Sequence, residues 1–198
     1  MIKCENLTKS FEGRKILNGI NMTMEQGKIT CLIGPSGGGK TTLLRALSLL
    51  EPADSGVMHI EGVRYDFPLD GPLRIPPWPD VTVVFQSLFL WPHMTLRENI
   101  MLPAKRLGIK DAEDKLEDIV RFFEMEQFID RYPNEASRGQ QQRIALARGL
   151  MLHPKYIFLD EITSALDVEQ VAKVLEYLQK LRDQGIGIFI ITHLLGFA

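Results

Sequence analysis

Cysteine is scarce: Cys4 and Cys31 are the only two in 198 residues, too few for a disulfide framework and at no metal-ligand spacing. Cys31 sits in an apolar run and reads as a small buried thiol. No stretch of about 18 apolar residues occurs, so no transmembrane helix is expected. The N-terminal MIKCENLTKSF lacks the apolar core of a signal peptide, and the expectation is a soluble cytosolic protein. Charge of one sign is lacking too. Lys and Arg number 23 against 25 Asp and Glu, a net charge of −2, which argues against nucleic acid as a partner. There is no internal repeat and no low-complexity segment. The length suffices for one sizeable core, or one core with a small satellite.

Glycine is concentrated where it matters. Residues 29–42 read ITCLIGPSGGGKTT: a short β-rich apolar run, a glycine-rich turn, then a helix over residues 43–50. Strand, turn and helix are the context that makes G-x-x-x-x-G-K-[ST] a phosphate site. Glycines let successive N–H groups point inward with no Cβ in the way. The helix beginning near Lys40 adds unpaired N–H groups and the positive end of its dipole. Lys40 supplies a cation for the β- and γ-phosphates, and the Thr41 hydroxyl can ligate Mg²⁺.

Around that centre the chain alternates strands and helices. Residues 2–11 and 15–24 read as two strands joined at Glu12-Gly13-Arg14, with Asn18-Gly19 interrupting the second. Residues 57–61 alternate like a half-buried strand. Residues 63–80 carry Pro68, Pro72, Pro76, Pro77 and Pro79 and read as a surface loop. Residues 81–85 form another strand, ending at Gln86. Helices follow at 111–125, with Ala112, Leu116, Ile119, Val120 and Phe123 on one face, and at 139–152. A short buried strand over 156–159 ends in Asp160-Glu161. A helix over 168–182 is expected to turn Val168, Val171, Ala172, Leu175 and Leu178 inward, and a last strand over 187–191 leads to His193. Such alternation implies a mostly parallel sheet covered on both faces, with residues 88–134 as a helical insertion.

Three strands therefore deliver Gln86, Asp160-Glu161 and His193 to the sheet edge that holds the phosphate loop, where ligands of open α/β sheets collect. Asp160 would hold Mg²⁺. Glu161, one residue on, points elsewhere along extended chain and can poise a water in line with the γ-phosphate. His59, His93 and His153 share no such placement and read as structural.

With FLDEITSALD at 158–167, VFQ at 84–86, ITH at 191–193 and RGQQQRIALARGL at 138–150 beside the glycine loop, the chain resembles the ATP-binding subunit of ATP-binding cassette (ABC) transporters, from Ile2 to the last residue. The resemblance implies an α/β fold of the P-loop NTPase class: a RecA-like, mostly parallel core sheet, an N-terminal antiparallel β subdomain and the inserted helical subdomain. It implies ATP and Mg²⁺ as cofactors. Phe11 would stack on adenine; Gly34, Pro35, Ser36, Gly37, Gly38, Gly39, Lys40 and Thr41 would wrap the phosphates, with Thr42 close by. Gln86 would contact Mg²⁺ and the attacking water, Asp160 would bind the ion, Glu161 would be the base and His193 would hold the γ-phosphate. Ser137, Gly139 and Gln140 would cap the ATP of a second chain in a head-to-tail homodimer or paired subunit, and residues 164–167 would cross to it. Partners would be integral membrane permease subunits at the inner face of the cell membrane, docked on the helical insertion, where Phe89, Leu90, Trp91 and Met94 cluster.

LFLWPHMTLREN at 88–99 is most similar to importers of polar amino acids. Alternatives are an ABC-type nucleotide-binding module with little turnover, or a soluble non-transport ABC ATPase. Two departures touch the motifs: Arg138 stands where the family usually has glycine, and Ile162 where it has proline. The chain also stops five residues after His193, where the resemblance leads one to expect further strands and a helix.

Overall fold

A computed structural model describes residues 1–162 and 166–192. The first two strands, β1 (Ile2–Phe11) and β2 (Arg14–Met24), form a hairpin. Phe11 pairs with Arg14, and Glu12 (φ 49°) and Gly13 (φ 80°) both have the positive φ that a two-residue type I′ turn requires. The β1–β2 ladder is irregular between Cys4 and Ser10, opposite the Asn18-Gly19 interruption. Two more strands, β4 (Ser55–Ile60) and β5 (Val63–Phe67), complete an antiparallel sheet of order β2-β1-β4-β5. β5 corrects the expected loop over 63–80. All the prolines of that stretch lie after it, so Val63-Arg64-Tyr65-Asp66-Phe67 can pair with β4, burying Tyr65 and Phe67.

The second sheet is parallel, in the order β3-β8-β7-β6: β3 (Ile29–Leu32), β8 (Gly187–Ile191), β7 (Tyr156–Asp160) and β6 (Val81–Val84). Its two central strands are buried throughout, and alternation sends their side chains into two cores. Ile157, Leu159, Ile188 and Ile190 face a core built with α2 (Leu96–Leu107), α3 (Ala112–Phe122), α4 (Arg138–Leu150) and α5 (Val168–Asp183). Tyr156, Phe158, Phe189 and Ile191 face the other core, built with α1 (Lys40–Leu47) and the antiparallel sheet.

The helices start where their caps dictate. Thr95 and Glu98 form a capping box on α2, Ser137 and Gln140 another on α4, and the Asp167 carboxylate accepts from Gln170 N at the start of α5. In α3 the expected face is the buried one. In α5 the expectation is met in part: Leu178 is buried and Val171 and Leu175 are half-buried, but Val168 is 88% exposed, Ala172 is exposed, and Val174 and Leu181 are buried instead. The sequence offers apolar residues on two overlapping stripes, and packing against the sheet selects the later one. Cys31, expected to be buried, is only half-buried on the edge strand β3.

Candidate functional site

The glycine loop joins β3 to α1, and its turn is closed by Gly38 N donating to Pro35 O at 3.2 Å. Gly39 occupies the N-cap of α1 with φ 84°, and a Cβ there would lie 2.9 Å from Ile16 Cγ2. Only glycine satisfies both the left-handed backbone and the close approach of β2. That contact seats the β1–β2 hairpin against the loop, with Phe11 at the end of β1, 42% exposed and under the Lys9 ammonium at 5.6 Å. An aromatic face exposed beside a phosphate loop can stack on a base.

Within the loop, Pro35, Ser36, Gly37 and Gly38 are exposed, Gly34 and Thr42 are half-buried, and Lys40 is only 9% exposed. Lys40 Nζ donates to the Gly34 and Pro35 carbonyls at 2.8 and 2.9 Å. Phosphate oxygens would offer the ammonium stronger, charge-assisted acceptors at the same rim. Thr41 Oγ1 donates to Asp160 Oδ2 at 2.9 Å, so helix α1 and the end of β7 share one hydroxyl–carboxylate pair. Asp160 is 5% exposed, and this burial raises its carboxyl pKa; Glu161 adds to the rise, while the Thr41 hydroxyl and Lys40 oppose it.

Glu161 departs from the strand. Its φ is 51°, a left-handed conformation costing about 1 kcal/mol or more for a residue with a Cβ, and its N–H donates to Ile191 O at 2.9 Å. This left-handed turn, rather than simple alternation along an extended strand, sets where its side chain leaves the chain. Gln86 follows the neighbouring strand β6, and its Nε2 donates to Glu161 Oε2 at 3.1 Å. Lys40, Thr41, Asp160, Glu161 and Gln86 are thus brought to one edge. Ser137, Gly139 and Gln140 stand elsewhere, at the N-terminus of α4. Ser137 and Gln140 cap each other's backbone there, beside a cleft of about 340 Å³ that Arg138, Arg143 and Asp167 also line. His193 and Ser164 lie outside the described residues.

Residues 17–164 match the family described as "ABC transporter". The chain belongs to that family. It is 39% identical to the arginine transport ATP-binding protein ArtM of Bacillus subtilis, over 100% of this chain and 83% of that relative. With the glutamine transport ATP-binding protein GlnQ of Escherichia coli it is 37% identical, over 100% of this chain and 83% of that protein. Its fold superposes on the ATP-binding cassette MJ0796, solved as a dimer bound to ADP and Pi, with a TM-score of 0.89, 28% identity and coverage of 100% of this chain and 90% of that one. This chain is an ATP-binding and ATP-hydrolysing subunit of an ABC transporter, homologous to amino acid import ATPases.

The residues of this ABC subunit fit Mg²⁺. Among the described residues no three His, Cys, Asp or Glu cluster as a ready-made metal cage. One carboxylate (Asp160), one hydroxyl (Thr41) and one amide (Gln86) are hard oxygen donors, the few ligands that Mg²⁺ takes when phosphates complete its shell.

Sequence reading singled out Arg138 but missed the contacts that the arginines of α4 make. Arg138 Nη2 donates to Gln86 O at 2.8 Å, and Arg143 Nη1 donates to the Phe123 carbonyl. Arg148 donates to Leu88 O at 2.7 Å and Phe89 O at 2.8 Å while stacking on Trp91. Their fivefold spacing in RGQQQRIALAR was visible, but their acceptors are backbone carbonyls, which carry no sequence signal. The expected cluster near Gln86 divides accordingly. Leu90 packs on the helical core, Phe89 is 66% exposed, and Trp91 lines a cavity of about 470 Å³ with Phe85, Trp78, Leu49, Thr82 and Arg148.

Proposed function

We propose that this chain is the motor of an importer for polar amino acids, hydrolysing Mg·ATP held between its glycine loop and the α4 N-terminus of a second copy. The observation that carries this reading is the paired arrangement at one sheet edge: Thr41 on Asp160 beside Lys40, and Gln86 on Glu161 on the adjoining strand. Asp160, Thr41 and Gln86 would hold the ion, which would supply positive charge against the phosphates. Lys40 and the loop amides orient the phosphates, and Phe11 packs on the adenine. Glu161 takes the proton of the attacking water, and His193 steadies that arrangement. Ser137, Gly139 and Gln140 of the second copy close over the γ-phosphate with hydroxyl and amide donors at a helix end. Catalysis is then mainly positioning and electrostatics at a dry interface, and residues 164–167 link the two sites.

No helix among the described residues is long and apolar enough to cross a membrane. Transport therefore requires a membrane-spanning permease at the inner face of the membrane. The apolar cavity between Trp78, Phe85 and Trp91 suits an amphipathic helix from such a permease, because it opens beside β6, the strand that leads to Gln86. The polar amino acid class is supported by residues 88–99 and by the arginine and glutamine transport relatives.

The test compares ATP hydrolysis by the chain with Glu161→Gln, which is expected to bind ATP and not turn over. Equal rates would leave a nucleotide-binding module rather than a motor. Deleting the gene should lower uptake of labelled arginine or glutamine by the source cell; unchanged uptake of polar amino acids would sink the substrate class.

A further inference from the structure

Gln86 lies two residues beyond the end of β6, exposed, in neither helix nor strand. Two contacts hold it. Its carbonyl accepts from Arg138 Nη2 at 2.8 Å, and its side-chain amide donates to Glu161 Oε2 at 3.1 Å. Arg138, Gln86 and Glu161 therefore form one chain of hydrogen bonds from the first turn of α4 to the carboxylate assigned as the base. In that arrangement the Gln86 amide occupies a lone pair of Glu161, while turnover needs Gln86 on the metal and water and Glu161 on the water.

We propose that Arg138 is a positioning residue that keeps Gln86 against Glu161 until a polyphosphate carried by a second copy of the chain draws the guanidinium away. This rests on the motor reading above. Three features support it. Arg138 is the first residue of α4, where the helix dipole disfavours a cation and favours an anion. Its present acceptor is a neutral carbonyl, and a guanidinium bonds more strongly, and in bidentate fashion, to phosphate. A cleft of about 340 Å³ beside it, lined by Arg138, Arg143, Ser137, Gly139 and Asp167, opens at that helix end, where an incoming anion would meet the Ser137 hydroxyl and the first turn of α4. The glycine usual at this position has no side chain to make the contact, so the chemistry does not need it. Arg138 adds a restraint, released when the sandwich closes.

The test measures ATPase rates for the wild type, R138A, R138K, Q86A and R138A/Q86A, with E161Q as the blank. Amide hydrogen exchange of residues 85–89 is followed in the same proteins without nucleotide. R138A should raise kcat about three- to tenfold, the range of one exposed charge-assisted hydrogen bond, with KM within about twofold. It should also speed exchange at residues 85–89. R138K, which keeps one donor, should restore most of both properties, and R138A should change nothing further in the Q86A background. A lower or unchanged kcat in R138A, unchanged exchange, or the same rate change with and without the Gln86 side chain would overturn the proposal. Wild-type turnover no faster than E161Q would instead overturn the motor reading, and this inference with it.

Discussion

The glycine loop and the loop after β6 serve the same sheet edge but are fastened by different means. The glycine loop is fixed by its own backbone: a turn closed by Gly38 N on Pro35 O, a left-handed Gly39 wedged on Ile16, and Lys40 folded onto the loop's carbonyls. The loop after β6 is tied by side chains of α4 and of α2, the helix that follows it. Arg138 takes the Gln86 carbonyl, Arg148 those of Leu88 and Phe89, and Asn99 those of Trp91, Met94 and Thr95. A backbone-built site holds its ligand groups rigidly. A side-chain-tied loop can be released by any event that offers its arginines a better acceptor.

The largest expected effect probes the rigid member of the pair. Lys40→Ala removes the cation proposed to face the phosphates and should lower turnover by at least about 100-fold, as loss of one preorganised electrostatic contact does. Its urea midpoint should move little, because the remaining turn is backbone-bonded. A steady-state ATPase rate within tenfold of wild type would show that the loop amides alone suffice.

Arg148→Met tests the tied member. The guanidinium lies largely buried over the Trp91 ring at 5.0 Å, and burial lowers its pKa. Methionine keeps the apolar stem but leaves the Leu88 and Phe89 carbonyls without their donor, a loss of about 2 kcal/mol. Urea unfolding should register this as a lower midpoint, with faster amide exchange at residues 88–91. An unmoved midpoint would mean that the loop holds its own shape, and the contrast with the glycine loop would collapse.

What the sequence made legible follows the same division. The glycine loop, the strand ends carrying Gln86 and Asp160-Glu161, and the α3 face are local patterns, and the structure places them as expected. The strand β5 was hidden because Pro68 to Pro79 coloured the whole stretch, although Val63 to Phe67 is proline-free. The buried face of α5 was misplaced because Val168 and Ala172 are apolar yet have nothing to pack on, and only the sheet decides between Val171 and Val174. The arginine ties were invisible for a different reason: a guanidinium on a carbonyl depends on where two remote segments meet.

Asp160→Asn measures the strain that the rigid edge carries. A buried carboxyl whose folded pKa is raised stabilises the fold fully below its ordinary value near 3.8. That contribution is lost as pH rises through the raised folded value, because the folded state then holds an unfavourable charge. Asparagine keeps an acceptor for the Thr41 hydroxyl and carries no charge. The variant should therefore melt above wild type at pH 7 and show less difference at pH 3.5, while Mg-dependent turnover is lost. A lower Tm at pH 7 would mean that Thr41 and Lys40 outweigh burial at this edge.

The smallest effect sits in the wall of the cavity beside the tied loop. Thr82 is 4% exposed, and among the described residues its hydroxyl has no hydrogen-bond partner; Gly149 of α4 packs beside it. Thr82→Val keeps the shape and removes the unsatisfied oxygen, so the isolated chain should gain up to about 1 kcal/mol in urea unfolding. If the cavity receives a permease helix, the same variant should still co-purify with the permease, because the Thr82 hydroxyl is buried in the free chain. Gained stability with undiminished permease binding would assign Thr82 to the fold alone. Lost stability would mean that the oxygen is already satisfied in the free chain, and that this wall of the tied loop is as complete by itself as the glycine loop is.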